Sequence, residues 1–182
     1  RAVLKLVNDT SVTKDELGGS VYYKQKGHLG RNAPRVDKVL GTQVLHAVHR
    51  AIQARCVWAA HDLSEGGLAA AATEMAIGGK LGGSLDVAKM PVSSPLRAEQ
   101  RLFSESQSRF LLEVPKDRLD DLRANLGSVP FAVIGAFHSE PTVRMEDAGK
   151  TLLALPLAEL EAAWKRPLDL DQTLLAGVGG GK

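Results

Sequence analysis

The stretch Ala60 to Ala76, AHDLSEGGLAAAATEMA, sets a His, an Asp, a Ser, a Glu and two glycines directly before an alanine-rich helical run. A helix N-terminus exposes unpaired backbone N–H groups and the positive end of the macrodipole, so it can hold a phosphate. Gly66 and Gly67 would let the backbone come close to such an anion. Asp62 and Glu65 are the hard oxygen donors that Mg²⁺ prefers, and Mg²⁺ usually accompanies nucleotide phosphates. Simple capping by Asp62 or Ser64 explains the same residues.

Two further polar clusters ask the same question. LFSESQSRF, Leu102 to Phe110, places Glu105, Ser106 and Gln107 between a helix and a strand. From there, polar side chains can reach a ligand from a rigid support, with Leu102, Phe103 and Phe110 as anchors. A solvated turn is the alternative. KDELGGS, Lys14 to Ser20, offers Asp15 and Glu16 to a metal and Gly18, Gly19 and Ser20 to a phosphate, or else forms a turn with charged shoulders. Neither G-x-G-x-x-G nor G-x-x-x-x-G-K-[ST] spacing occurs.

Other chemistry finds little support. His46 and His49 stand three apart on one helix without the pattern of a helical zinc site. His28 and His138 are solitary, and no G-x-S-x-G is present. Cys56, the single cysteine, follows Arg55 in an apolar stretch and reads as an inert buried thiol. One cysteine allows no intrachain disulfide, which points to a reducing, cytoplasmic setting. A formal net charge of +2 and 4% aromatics disfavour nucleic acid as a partner. The basic loop with Lys24, Lys26, Arg31 and Arg35 reads as solvated. No apolar run reaches the roughly eighteen residues of a membrane span.

The elements that must position these clusters follow from periodicity and punctuation. A chain of 182 residues, 44% hydrophobic and 24% charged, fits one core. Its opening, RAVLKLVNDT, reads as a strand at Val3 to Val7 and a turn at Asn8-Asp9-Thr10, not as a signal peptide. A helix capped by Asp37 runs to about Arg55, with Leu40, Val44, Leu45, Val48 and Ile52 at helical spacing. CVWAA, Cys56 to Ala60, is a strand that stops at His61, and Leu68 to Ile77 is helical. SLDV is a strand, and a helix starts at Ser94-Pro95 and ends near Phe103. Arg109 to Val114 alternates as a half-buried strand, Lys116 to Leu126 is an amphipathic helix, and PFAVIGAF is a strand closed by Gly135. PTVRM and KTLLALPL pair as a hairpin before a closing helix from Pro156 to Trp164. This order implies an α+β fold, a mixed β-sheet flanked by helices in a three-layer α/β/α sandwich. The domain spans 1–166, and 167–182 is a flexible tail.

In their order and separation, DELGGSVYY, AHDLSEGGLAAAATEMA and LFSESQSRF resemble the phosphoribosylformylglycinamidine (FGAM) synthase family over about Val3 to Trp164. The match is to the C-terminal (B) domain of the second aminoimidazole-ribonucleotide-synthetase-like repeat of the synthetase subunit. HDLSEGGL is similar to the second-repeat motif, whereas the first repeat carries a motif like QDMGAAGL. ELGGS and SESQSR point away from aminoimidazole ribonucleotide synthetase, selenophosphate synthetase and hydrogenase-maturation proteins.

The resemblance implies a part in ATP-dependent amidation of formylglycinamide ribonucleotide with glutamine-derived ammonia, in purine biosynthesis. It implies an ATP or ADP site with Mg²⁺, with Asp62 as a metal ligand and Ser64 as a nucleotide contact. It also makes Glu105, Ser106 and Gln107 the counterpart of the first-repeat substrate loop. A non-catalytic scaffolding domain with an auxiliary nucleotide is the alternative it leaves. Ammonia is the nucleophile in that family, so no covalent residue is expected here. Implied partners are the remaining synthetase domains, a glutaminase subunit, a small bridging subunit, and the nucleotide and ribonucleotide substrates. The chain reads as a piece of something longer, with an end at GGGK as in the small form of the enzyme, and inactive by itself.

Overall fold

The computed structural model describes residues 5–166. The proposed tail at 167–182 and the first residues of the opening strand lie outside the described residues. Among the described residues, seven strands form one mixed sheet: β1 Lys5–Thr10, β2 Ala59–Asp62, β3 Gly82–Asp86, β4 Phe110–Pro115, β5 Phe131–His138, β6 Thr142–Asp147 and β7 Lys150–Pro156. Six α-helices accompany them: α1 Val21–Gln25, α2 Lys38–Gln53, α3 Gly67–Gly79, α4 Ala98–Phe103, α5 Leu119–Leu126 and α6 Leu157–Trp164. The spatial order is β2-β4-β1-β5-β3-β6-β7, with only β3 and β6 parallel.

Alternation along the strands sends side chains into two cores. Val7, Leu85, Leu111, Ile134 and Met145 pack under α3, α4 and α6. Leu112 and Val114 pack under α2 and α5 with Val44, Val48, Leu122 and Leu126. Helices on both faces of a mixed sheet make the expected three-layer sandwich. The face of α3 that meets the sheet carries Leu68, Ala71, Ala72 and Ala76, all buried, and its small side chains admit a close approach. Asp37 caps α2 as expected, its Oδ1 accepting from the N–H groups of Val39 and Leu40. The β6–β7 hairpin and the closing helix also form as read. Cys56 is buried, donates to the Ala51 carbonyl, and has its thiol pKa pushed up by burial, in keeping with an inert role.

Several local expectations need correction. Asn8, Asp9 and Thr10 are the second half of β1, fully buried, because each polar side chain finds a partner across the sheet. The second strand begins at Ala59 and continues through His61 and Asp62, which pair with Leu111 and Phe110. Strand β4 is buried along nearly its whole length, since it lies between β2 and β1 with helices above and below. Helix α4 starts at Ala98, not at Ser94-Pro95; the Gln100 side chain accepts from the Arg97 N–H at its entry. Lys116–Arg118 is a 3-10 turn ahead of α5. Gly135 sits inside β5, paired with Val7 on one side and Leu85 on the other. Val21–Gln25 is a short helix, so Lys24, read as part of the basic loop, lies on it.

Candidate functional site

The three polar clusters meet at one edge of the sandwich, and Glu105 joins them. Its Oε1 accepts from the Gly66 N–H at 2.9 Å and from the Val21 N–H at 3.0 Å. One carboxylate oxygen thereby closes the mouths of both α3 and α1. The loop around it is laced to the segment Lys14 to Glu16. The Lys14 N–H donates to Ser106 Oγ at 3.1 Å, and Ser104 Oγ donates to the Lys14 carbonyl at 2.8 Å. The Glu105 N–H donates to the Glu16 carbonyl at 3.4 Å. Anchoring by the flanking apolar residues is as the sequence suggested: Leu102 is buried, and Phe103 stacks on Tyr22 with ring centres 4.6 Å apart.

Below the loop lies a buried ion pair that sequence reasoning missed. Arg109 Nη2 is 3.1 Å from Asp9 Oδ2 and 3.3 Å from Oδ1, with both side chains fully buried. Arg109 Nη1 also donates to the Ser104 carbonyl at 3.4 Å. Burial pushes the Asp9 carboxyl pKa up and the facing guanidinium opposes the shift. This pair pins the base of the Glu105 loop from the middle of the sheet. The only hint in the sequence is charge within apolar strands, NDT in one and SRFLL in the other.

The glycines have intrachain reasons to be glycine. A Cβ on Gly67 would sit 2.7 Å from the Ser104 carbonyl, and its φ is +59°. A Cβ on Gly18 would lie 2.7 Å from the Asn32 backbone. Ser20 is buried and caps α1, accepting from the Tyr23 N–H at 3.2 Å while donating to the Leu17 carbonyl at 2.6 Å. Gly66 has φ +77° and a backbone N–H committed to Glu105; Gly19 has φ +75° and is exposed. Ser106 is buried against Lys14, whereas Gln107 is exposed.

Asp62, Ser64 and Glu65 stand in solvent at the same edge. Asp62 is 67% exposed, so its carboxylate is available to a cation. His61 braces it: Nδ1 is 2.6 Å from the Asp62 carbonyl and Nε2 is 2.9 Å from Glu74 Oε2 on α3. Among the described residues no group of three or more His, Cys, Asp or Glu side chains could enclose a metal ion. A single exposed carboxylate such as Asp62 is a hard oxygen donor of the kind Mg²⁺ takes, but it would not hold the ion without further ligands. A cavity of about 680 Å³ opens beside Gly66, lined by Val21, Tyr22, Phe103, Glu74 and Trp164. That volume lies within the range of small-molecule sites.

This architecture defines an AIR-synthase-type C-terminal domain: residues 3–148 match the family AIR synthase related protein, C-terminal domain, and the chain belongs to that family. The chain is 36% identical over 159 residues to phosphoribosylformylglycinamidine synthase subunit PurL of Thermococcus sibiricus, covering 87% of this chain and 22% of that protein. It is 37% identical over 161 residues to PurL of Thermococcus kodakarensis, covering 85% and 21%. The chain thus spans about a fifth of the length of these curated relatives. Among solved structures, Thermotoga maritima PurL complexed with FGAR superposes with a TM-score of 0.77 at 18% identity, over 88% of this chain and 28% of that one. The hydrogenase maturation protein HypE shares the fold at a TM-score of 0.58 and 17% identity, over 85% and 53%. No described helix is long and apolar enough to cross a membrane.

Proposed function

We propose that this chain is the second-repeat C-terminal domain of an FGAM synthase synthetase subunit. In that setting it serves the ATP-dependent amidation of formylglycinamide ribonucleotide in the cytoplasm. The observation that carries the proposal is the convergence, through Glu105, of the same three clusters that resemble the family, with Asp62 and Ser64 left exposed at their rim. PurL relatives aligned over most of this chain support it, as does a PurL structure complexed with ATP that shares the fold.

In this reading Asp62 contributes one oxygen to Mg²⁺, and Ser64 offers its hydroxyl to the nucleotide. A bound nucleotide supplies the phosphoryl group that activates the substrate amide oxygen. The chain's own residues hold the rim rigid: His61 and Glu74 orient the Asp62 backbone, and Glu105 locks the entry of α3. No residue of this domain acts as a covalent nucleophile. The remaining synthetase domains, a glutaminase subunit and a small bridging subunit complete the enzyme. A PurLQS assembly from Thermotoga maritima with the same fold is consistent with that set.

One observation favours a second reading, a scaffolding domain around an auxiliary nucleotide. Glu105 and Ser106, the counterparts of a substrate loop, are spent on backbone N–H groups of their own domain. The test compares the full-length synthetase carrying Asp62→Ala with wild type. Ammonia-dependent FGAM formation, bound nucleotide and thermal stability are measured together. The catalytic reading expects turnover to collapse in a stable protein; the scaffolding reading expects nucleotide and stability to fall while turnover per folded molecule holds. No change in any of the three removes Asp62 from both.

A further inference from the structure

On the opposite helical layer, between α2 and the end of α5, lies a cleft of about 720 Å³ with a marked charge bias. From α2 it receives Lys38, Gln43, His46 and Arg50, and from beyond α5 it receives Ser128. Gln43, His46 and Arg50 follow one stripe of the helix, and Lys38, in its first turn, lines the same cleft beside them. Two cations, a histidine and no carboxylate line the cleft, in a chain whose acidic and basic residues nearly balance. Its floor is apolar, made by Leu126 and Val129, which are buried.

The nearby negative charge is already spent. Asp37 uses its carboxylate to cap α2. Asp120 pairs with Arg123 on α5, and Asp121 with Arg118 in the turn just ahead of it. The C-terminal end of α5 carries partial negative charge, and Arg50 answers it by donating to the Asn125 carbonyl at 3.0 Å. A guanidinium has five N–H donors, so most of the Arg50 fork remains for the cleft. Neither Lys38 nor His46 forms an ion pair or a side-chain hydrogen bond with another described residue.

We propose that this cleft binds a compact phosphate-bearing anion, held by Lys38, His46 and Arg50 with Gln43 and Ser128 as neutral donors. Arg50 supplies planar hydrogen bonding, Lys38 a mobile point charge at the mouth, and His46 the middle of the stripe. The cleft is wide enough to admit inorganic pyrophosphate or a small phosphate ester, and its charge, not its size, selects an anion. The site lies in a different helical layer from Asp62 and Glu105, so it stands or falls independently of the nucleotide reading.

The test is calorimetric titration of the 182-residue chain with inorganic pyrophosphate at low ionic strength, alongside amide chemical-shift mapping. Binding is expected to shift the amides of Gln43, Gly127 and Ser128. Lys38→Glu, an exposed change that spares the core, is expected to weaken binding about tenfold, and Lys150→Glu on the far hairpin to leave it unchanged. His46→Ala provides a second exposed variant with the same expected direction. Ribose 5-phosphate binding more tightly than pyrophosphate would identify an ester-type ligand, and the reverse order would identify the inorganic anion. The proposal is overturned if pyrophosphate does not bind at millimolar concentration. It is equally overturned if Lys38→Glu leaves the affinity intact, or if the shifted amides cluster at Gly66.

Discussion

The Glu105 carboxylate holds the Gly66 N–H at 2.9 Å, so the entry to α3 already carries an anion that belongs to the chain. The same oxygen holds the Val21 N–H at 3.0 Å. A phosphate approaching this edge finds the Gly66 amide occupied, and the side chains that remain accessible at the rim are Asp62, Ser64 and Glu65. Glu105→Ala strands two backbone donors in a part-buried setting and should cost about 2–4 kcal/mol. Glu105→Gln keeps an acceptor and should cost less than half of that. Urea denaturation of the three proteins measures both; equal stability for wild type and Glu105→Ala would show that the contact does not tie the clusters together.

The Asp9–Arg109 pair should be more sensitive to breakage than to removal. Arg109→Met leaves a buried carboxylate without its partner, at an expected cost of about 3–5 kcal/mol. The double change Asp9→Leu with Arg109→Met should recover most of that loss, because neither charge then needs solvation. A double-mutant cycle by denaturant unfolding gives the coupling. Additive losses in the double variant would contradict the pairing.

Gly67 and Gly19 share a left-handed backbone but differ in surroundings. Alanine at Gly19 meets open space and should cost only the conformational strain, about 1–2 kcal/mol. Alanine at Gly67 meets the Ser104 carbonyl as well, and should cost clearly more while disturbing the Glu105 loop. Comparing unfolding midpoints decides this, and a cheaper Gly67→Ala would contradict the close packing of α3 on that loop.

Glu161 ties the ends of α3 and α6 together, with Lys165 at 2.5 Å and Lys80 at 2.6 Å. These two ammonium groups, Lys165 foremost, lower the Glu161 pKa to about 2. A carboxylate with a lowered folded-state pKa contributes stability above its unfolded value, and that contribution is lost as pH falls through the folded one. Glu161→Gln should therefore melt slightly below wild type at pH 7, and the two curves should converge as pH falls toward 2. A gap in melting temperature that persists in acid would assign the effect to packing.

Much of the fold was legible in the sequence because its signals are local. Periodicity at Leu40, Val44, Val48 and Ile52 with a cap at Asp37 marks α2, and the alternation after Pro141 marks the final hairpin. Polar strands were not legible. Asn8-Asp9-Thr10 carries turn composition, and only the partners Leu112, Arg109 and Phe110, about a hundred positions away, make it a buried strand. Helix α4 likewise starts late, at Ala98, where the Gln100 side chain accepts from the N–H of Arg97 just before it; the Ser-Pro pair does not open it.

At the site the division is the same. Residue types alone marked three clusters whose chemistry suits phosphate and metal, and their order alone carried the family resemblance, because both are properties of a linear string. Only the tertiary structure decided which of those groups remain available. Hydrogen bonds saturate, so Glu105, Ser20 and Ser106, once they satisfy backbone groups brought close by folding, have less capacity for a ligand. Asp62 and Ser64 keep theirs because β2 ends at the sheet's edge and delivers them to solvent.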